Sequence, residues 1–259
     1  MKRNQQKVVT DRWEKKTVHT RQEVQHEKWQ EHRRQNVKPL VAQNDNQRKT
    51  LKAFTNKQLI VQSGSAGVGK TELACWWASK LFLEGKIDNI VITRPHQHLG
   101  NDYGAIRGSD AEKLLPFCMS ILMKLKKNLG VGILKSNFKM DGFDDLFAEA
   151  AGIMIVPIEK IQGLSYDHRT IIIADEIQNA TVPQVKALTT RMEEGCQLLV
   201  CGDGRQTALS GMNGLDYLEK IVKMYPHEDV EVIQYTPEDN CRKGVAAHLT
   251  KAFEEQGNW

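Results

Sequence analysis

The sequence predicts an α/β fold, a mostly parallel sheet flanked by helices. Short apolar runs of strand type recur along it, at residues 58–63 (QLIVQS), 89–94 (NIVITR), 153–157 (IMIVP), 171–174 (IIIA), 197–203 (QLLVCGD) and 230–234 (VEVIQ). Segments of helical period separate them, and such alternation implies right-handed crossovers and a sheet buried on both faces. The first strand also runs into a glycine-rich stretch, GSAGVGKT at residues 64–71. That stretch fits G-x-x-x-x-G-K-[ST], a loop whose backbone N–H groups turn towards phosphate oxygens.

Within the loop, Gly64 and Gly69 relieve the backbone of Cβ crowding, and Ser65, Ala66, Gly67 and Val68 complete the cradle. Lys70 is the residue expected to reach the outer phosphates, and Thr71 the one whose hydroxyl would hold Mg²⁺. The following TELACWWASKLF reads as a helix, whose N-terminus adds partial positive charge to an anion site.

Upstream, residues 1–38 contain neither glycine nor proline and carry eleven Lys/Arg against five Asp/Glu. The whole chain of 259 residues has a net charge of +4, so this segment holds all of the positive excess. It is expected to be a basic helical or flexible N-terminal arm ahead of a domain at 39–259, because too few apolar residues are present for a core of its own. Trp13 and Trp29 are candidate stacking anchors for nucleic acid, and the competing reading is a solvated tail. In NDNQRKTLKAF, Asn44, Asp45 or Asn46 can cap a short helix. Gln47 in that helix is a candidate for bidentate pairing with adenine, against an exposed helix glutamine.

Downstream of the loop, Arg94 closes the second strand, where ligands gather in parallel sheets. It is a candidate for a nucleic-acid phosphate, with a structural ion pair as the alternative. His96 and His98 lack an evident third ligand. Asp110 is expected to cap the helix AEKLLPFCMSILMKLKKNLG, with Pro116 kinking or restarting it and Gly130 ending it. Lys124, Lys126, Lys127, Lys135 and Lys139, with Phe138 among them, form a basic patch able to track a phosphate backbone or merely to be solvated. DGFDDLFAEAA reads as a short acidic helix.

The apolar run at residues 171–174 ends in two carboxylates. Asp175 would bind Mg²⁺ through water, and Glu176 would orient and polarise an attacking water. A helix is expected over 181–194, and QLLVCGD leads into GDGRQ, whose Gln206 is placed to sense a γ-phosphate. Helices near 215–224 and 243–255 flank the strand at 230–234.

These motifs, in this order, resemble the PhoH family of P-loop ATPases, relatives of the first RecA-like domain of superfamily 1 helicases. The resemblance runs from about Gln47 to Phe253. GSAGVGKT resembles the family's Walker A, TRP at residues 93–95 its motif Ia, and GAIRGSDAEKLLPF its glycine-bearing segment before a Lys and Pro. DEIQN resembles its DEAQN, and GDGRQ its GD-x-x-Q. The resemblance implies a RecA-like P-loop NTPase fold, an adenine-reading role for Gln47, and a role for Arg242 as an arginine presented to the γ-phosphate of a neighbouring subunit. Where the family carries arginine-glycine-arginine before Walker B, this chain has Gln162, Gly163 and Leu164.

The expectation is therefore a helicase-like, Mg²⁺-dependent ATPase, with Lys70, Glu176, Gln206 and Arg242 catalytic and a homo-oligomeric, hexameric ring as its assembly. Single-stranded RNA or DNA is the expected partner. The alternative is a nucleotide-gated scaffold with slow hydrolysis and no translocation. No N-K-x-D sequence favours guanine, and no apolar run approaches the ~20 residues of a membrane span. With five cysteines and no C-x-x-C, a cytoplasmic protein is expected.

Overall fold

A computed structural model describes residues 37–95, 109–139, 152–207 and 209–256, without the side chains of 253–255. The expectations for the basic arm, for His96 and His98, and for the acidic helix DGFDDLFAEAA fall outside these residues, the arm's last two excepted.

Seven strands form one sheet. In chain order they are β1 (Leu59–Ser63), β2 (Asn89–Thr93), β3 (Phe138–Lys139), β4 (Gly152–Ile155), β5 (Thr170–Ala174), β6 (Gln197–Gly202) and β7 (Val230–Gln234). Their spatial order is β3-β4-β2-β5-β6-β1-β7, and every pairing is parallel. The helices are α1 (Asp45–Phe54), α2 (Lys70–Leu83), α3 (Asp110–Leu129), α4 (Val131–Asn137), α5 (Val182–Thr189), α6 (Gly214–Met224) and α7 (Gly244–Gln256). The fold class read from the sequence is the one observed.

Strand period decides which residue enters which core. Ile60, Ile90, Ile92, Ile171, Ile173, Leu199 and Cys201 face one layer, where α1, α2, α3 and α4 pack. Their neighbours Val61, Val91, Ile172, Ala174, Leu198 and Val200 face the opposite layer, built with α5 and α6. Because successive side chains point to opposite faces, a strand covered on both sides is largely apolar, as these are, with Gln62, Thr93 and Thr170 the buried polar exceptions in β1, β2 and β5.

Several local expectations change. Ser109 rather than Asp110 caps α3: its hydroxyl accepts from the Glu112 N–H at 3.3 Å, and the Glu112 carboxylate accepts from the Ser109 N–H at 2.7 Å. This reciprocal box satisfies two donors that a helix start leaves unpaired. Pro116 lies inside α3 without interrupting it. The lost backbone bond is outweighed by the buried face of Leu114, Cys118, Ile121 and Leu125 against the core. The helix expected over 181–194 stops at Thr189, because the chain turns to bring Met192 beside Tyr166. There the Tyr166 N–H donates to the Arg191 carbonyl at 3.0 Å, and the Glu193 N–H to the Tyr166 carbonyl at 2.9 Å.

Candidate functional site

The loop at residues 64–71 leaves β1 between β6 and β7, and both neighbours hold it. The Gly64 N–H donates to the Gly202 carbonyl at 3.2 Å, the Tyr235 N–H to the Ser63 carbonyl at 2.7 Å, and the Cys241 N–H to the Gly67 carbonyl at 3.0 Å. Gly64 has φ +139°, and a Cβ there would collide with the Tyr235 carbonyl oxygen. Gly69 has φ +94°, and its missing side chain leaves room for the Gln47 amide.

Lys70 opens α2 and turns back over the loop, its ammonium donating to the carbonyls of Gly64 and Ser65. Burial lowers its pKa below the ordinary lysine value, while Asp203, Asp175 and Glu176 act to raise it. The Ser65 hydroxyl is buried with no hydrogen-bond partner among the described residues. A partly buried ammonium and an orphaned hydroxyl in a glycine loop fit a phosphate group.

Thr71 and Asp175 meet across the site, the Thr71 hydroxyl donating to Asp175 Oδ1 at 3.0 Å. Burial raises the pKa of Asp175, and so does Glu176; Arg94, Thr71 and Lys70 oppose the rise. One hydroxyl and one carboxylate are the hard oxygen donors that suit Mg²⁺ held with water and phosphate. Among the described residues no group of three or more His, Cys, Asp or Glu side chains could hold a metal alone.

Glu176 follows Asp175 with φ 56° and ψ 37°, the only positive φ outside glycine among the described residues. That left-handed turn lifts its carboxylate off the end of β5 and costs of order 1–2 kcal/mol. Two groups receive it: Gln178 Nε2 donates to Glu176 Oε2 at 2.6 Å, and Arg94 Nη2 lies 4.0 Å from Glu176 Oε1. Arg94 also donates from Nη1 to the Phe117 carbonyl at 2.9 Å. The structure thus places Arg94 beside the Glu176 carboxylate.

Gln206 is exposed in the turn after β6, its N–H donating to the Asp203 carbonyl at 2.9 Å. Gln47 is buried, not exposed on its helix. Its Nε2 donates to the Val68 carbonyl at 2.9 Å and to Cys241 Sγ at 3.1 Å, and its Oε1 accepts from the Gln43 N–H at 2.8 Å. Arg242 is exposed and lies against its own loop: a Cβ on Gly67 would sit 2.8 Å from Arg242 Cδ and Nε. Its Nη1 donates to the Thr250 hydroxyl at 3.2 Å.

The basic patch lies on α3, α4 and β3, and Lys127 reaches Glu72 in the first turn of α2. Lys126 is exposed, Lys127 pairs with Glu72 at 2.8 Å, and Lys124 donates to the Ser120 carbonyl at 3.3 Å. Phe138 is partly buried and packs on the core. Sequence reasoning does not single out Gln178, Asp203 or Cys241 as site residues. The signal for Gln178 is its place two residues after Glu176 in DEIQN, and for Cys241 its place beside Arg242.

A family model described as PhoH-like protein matches residues 39–254. Protein PhoH of Escherichia coli strain K12 is 29% identical over 220 residues, covering 83% of this chain and 58% of that protein. Protein PhoH2 of Bacillus subtilis is 34% identical over 174 residues, 65% of this chain and 38% of its own length. This chain therefore spans little more than half, or less, of these two relatives. Among solved structures, the large terminase of a thermophilic bacteriophage aligns with a TM-score of 0.47 and 16% identity, covering 80% of this chain and 49% of the terminase. The Hef helicase domain of Pyrococcus furiosus gives 0.43 and 15%, over 74% and 37%. No helix among the described residues is long and apolar enough to cross a membrane. With the family match spanning nearly all the described residues and the phosphate loop and paired carboxylates in place, the chain belongs to the PhoH-like protein family.

Proposed function

We propose that this protein is a Mg²⁺-dependent ATPase whose turnover is coupled to single-stranded RNA or DNA. The observation that carries the reading is the 3.0 Å hydrogen bond between Thr71 and Asp175, which brings the metal-binding ends of the phosphate loop and of β5 together. Thr71 and Asp175 would hold Mg²⁺, which when bound neutralises charge on the β- and γ-phosphate oxygens. Lys70 neutralises the outer phosphates, and the loop N–H groups orient them. Glu176, at the strand end beside them, orients the attacking water and accepts its proton. Gln206 reports on the γ-phosphate from the turn after β6.

Arg242 completes charge stabilisation. Its packing on Gly67 of the same chain supports action on that chain's own nucleotide, whereas the trans role read from the sequence requires it to leave Gly67 for a neighbour. A ring, a hexamer by family resemblance, is part of the proposal for the nucleic-acid-bound enzyme. Arg94, Lys124, Lys126 and Lys127 are the proposed contacts to phosphate, Arg94 doing so beside Glu176; Phe138, packed on the core, would have to present its edge. The cysteines among the described residues are all unpaired and four are buried, which suits a reducing cytoplasm.

The test is a steady-state ATPase assay with RNA and DNA oligomers at two salt concentrations. Turnover should need Mg²⁺, vanish in Lys70→Ala and Glu176→Gln, and rise several-fold with oligomer, less so at high salt. Turnover indifferent to every oligomer would instead favour the nucleotide-gated scaffold, and wild-type rates in either variant would overturn the catalytic assignment.

A further inference from the structure

Gln178 is buried at 1% exposure beneath the Glu176 carboxylate, and its polar groups are engaged at both ends. Nε2 donates to Glu176 Oε2 at 2.6 Å, and Oε1 accepts from the Asp203 N–H at 3.1 Å. Its backbone carbonyl accepts from the Thr207 hydroxyl at 2.8 Å. The amide has one permitted orientation, because an ionised carboxylate only accepts and a backbone N–H only donates. Gly202, the last residue of β6, makes room: a Cβ there would sit 2.8 Å from Gln178 Oε1 and 2.7 Å from Leu215 Cδ2.

We infer that Gln178 is a positioning residue that couples Glu176 to the turn 203–206, so that the turn carrying Gln206 and the water-orienting carboxylate move together. Such support suits Glu176, because its left-handed backbone is one that a glutamate seldom adopts. The side chain must donate at one end and accept at the other, which leucine cannot do and glutamate does with the wrong sign. A shift of the turn on sensing the γ-phosphate would pull Oε1 and swing Nε2, and with it the carboxylate, relative to Arg94 on the other side. The inference rests on reading Glu176 as the water-orienting group.

The test combines turnover with a readout that does not depend on hydrolysis. Gln178→Leu should lower kcat for ATP by about 10- to 100-fold, the loss of one charge-assisted hydrogen bond in the transition state, with KM unchanged. Gln178→Glu, nearly isosteric and so a guard against misfolding, should show the same loss at neutral pH. In ¹⁵N-labelled protein, Glu176→Ala should shift the Asp203 amide resonance, and should leave it unmoved in a Gln178→Leu background. If the wild-type chain fails to hydrolyse ATP, the reading of Glu176 falls, and the Asp203 amide still decides the coupling. Wild-type kcat in both Gln178 variants, or an Asp203 amide that ignores Glu176→Ala, would overturn the inference.

Discussion

The Thr71 hydroxyl donates to Asp175 Oδ1 at 3.0 Å, joining the first turn of α2 to the carboxyl end of β5. Removing either partner strips one oxygen donor from the same small site. Thr71→Val should raise the Mg²⁺ concentration needed for half-maximal turnover by roughly tenfold, matching a lost hydrogen bond to a charged group. Asp175→Asn should act more strongly, because it also removes the charge. A Mg²⁺ titration of ATP turnover reads both effects, and an unchanged midpoint in Asp175→Asn would remove Asp175 from the metal site.

Lys70 gives a prediction in pH. Burial lowers its pKa from 10.5, so phosphate binding should weaken as pH rises through that lowered value, before a free lysine would titrate. Bound phosphates favour the ammonium, so ATP binding in this alkaline window should take up a proton, and below it should not. For the protein alone the sign is opposite: the cost of a buried ammonium is present below the lowered pKa and is relieved as pH rises through it. Calorimetry in two buffers of different ionisation enthalpy measures the proton. In Lys70→Ala the uptake should vanish and ATP affinity should fall by about 100-fold.

Mixing experiments separate the two roles open to Arg242. An arginine serving its own loop leaves Arg242→Ala and Lys70→Ala each dead and their mixture dead. An arginine serving a neighbour restores activity in the mixture, because a Lys70→Ala subunit lends its arginine to an intact loop. From the contact with Gly67 we expect no restoration, read as ATP turnover against mixing ratio.

Gln47 is tied to the loop and to Cys241 rather than held out towards solvent. Gln47→Ala leaves the Gln43 N–H and the Val68 carbonyl without their partner, which should cost about 1–3 kcal/mol of stability. Because Val68 lies in the cradle, KM for ATP should rise as well. A urea melt and KM values for ATP and GTP test this; a rise confined to ATP marks base reading, and an equal rise for both marks loop support alone.

What is legible in the sequence follows from which forces are local. β7 can be read to the residue, because VEVIQ is rich in β-branched residues and bounded by polar turns. The glycine loop and the carboxylates at 175 and 176 stand out in the sequence as motifs of fixed spacing, and the structure brings them together through Thr71 and Asp175. The two-residue strand Phe138–Lys139 is not legible, since its pairing with Ile153 and Met154 exists only in the folded sheet. Nor is the course of α3 through Pro116, where tertiary burial overrides a local penalty. Gln178 looks in sequence like any polar residue after a strand. Its meaning comes from Asp203, which the chain reaches only after another helix and strand.

The parallel register carries a consequence for insertions. Ser63 is level with Gly202 on one side and Gln234 on the other, and Thr93 with Ala174. One added residue in β6 would advance its end by about 3.3 Å and turn each following side chain to the opposite face. Asp203 would then lose Gln178, and Gly202 would lose Gly64, though no functional group had been altered. An extra residue in the exposed turn at 226–228 would leave that alignment intact. Strand length, with no chemistry of its own, is thus as much a determinant of the site as any side chain in it.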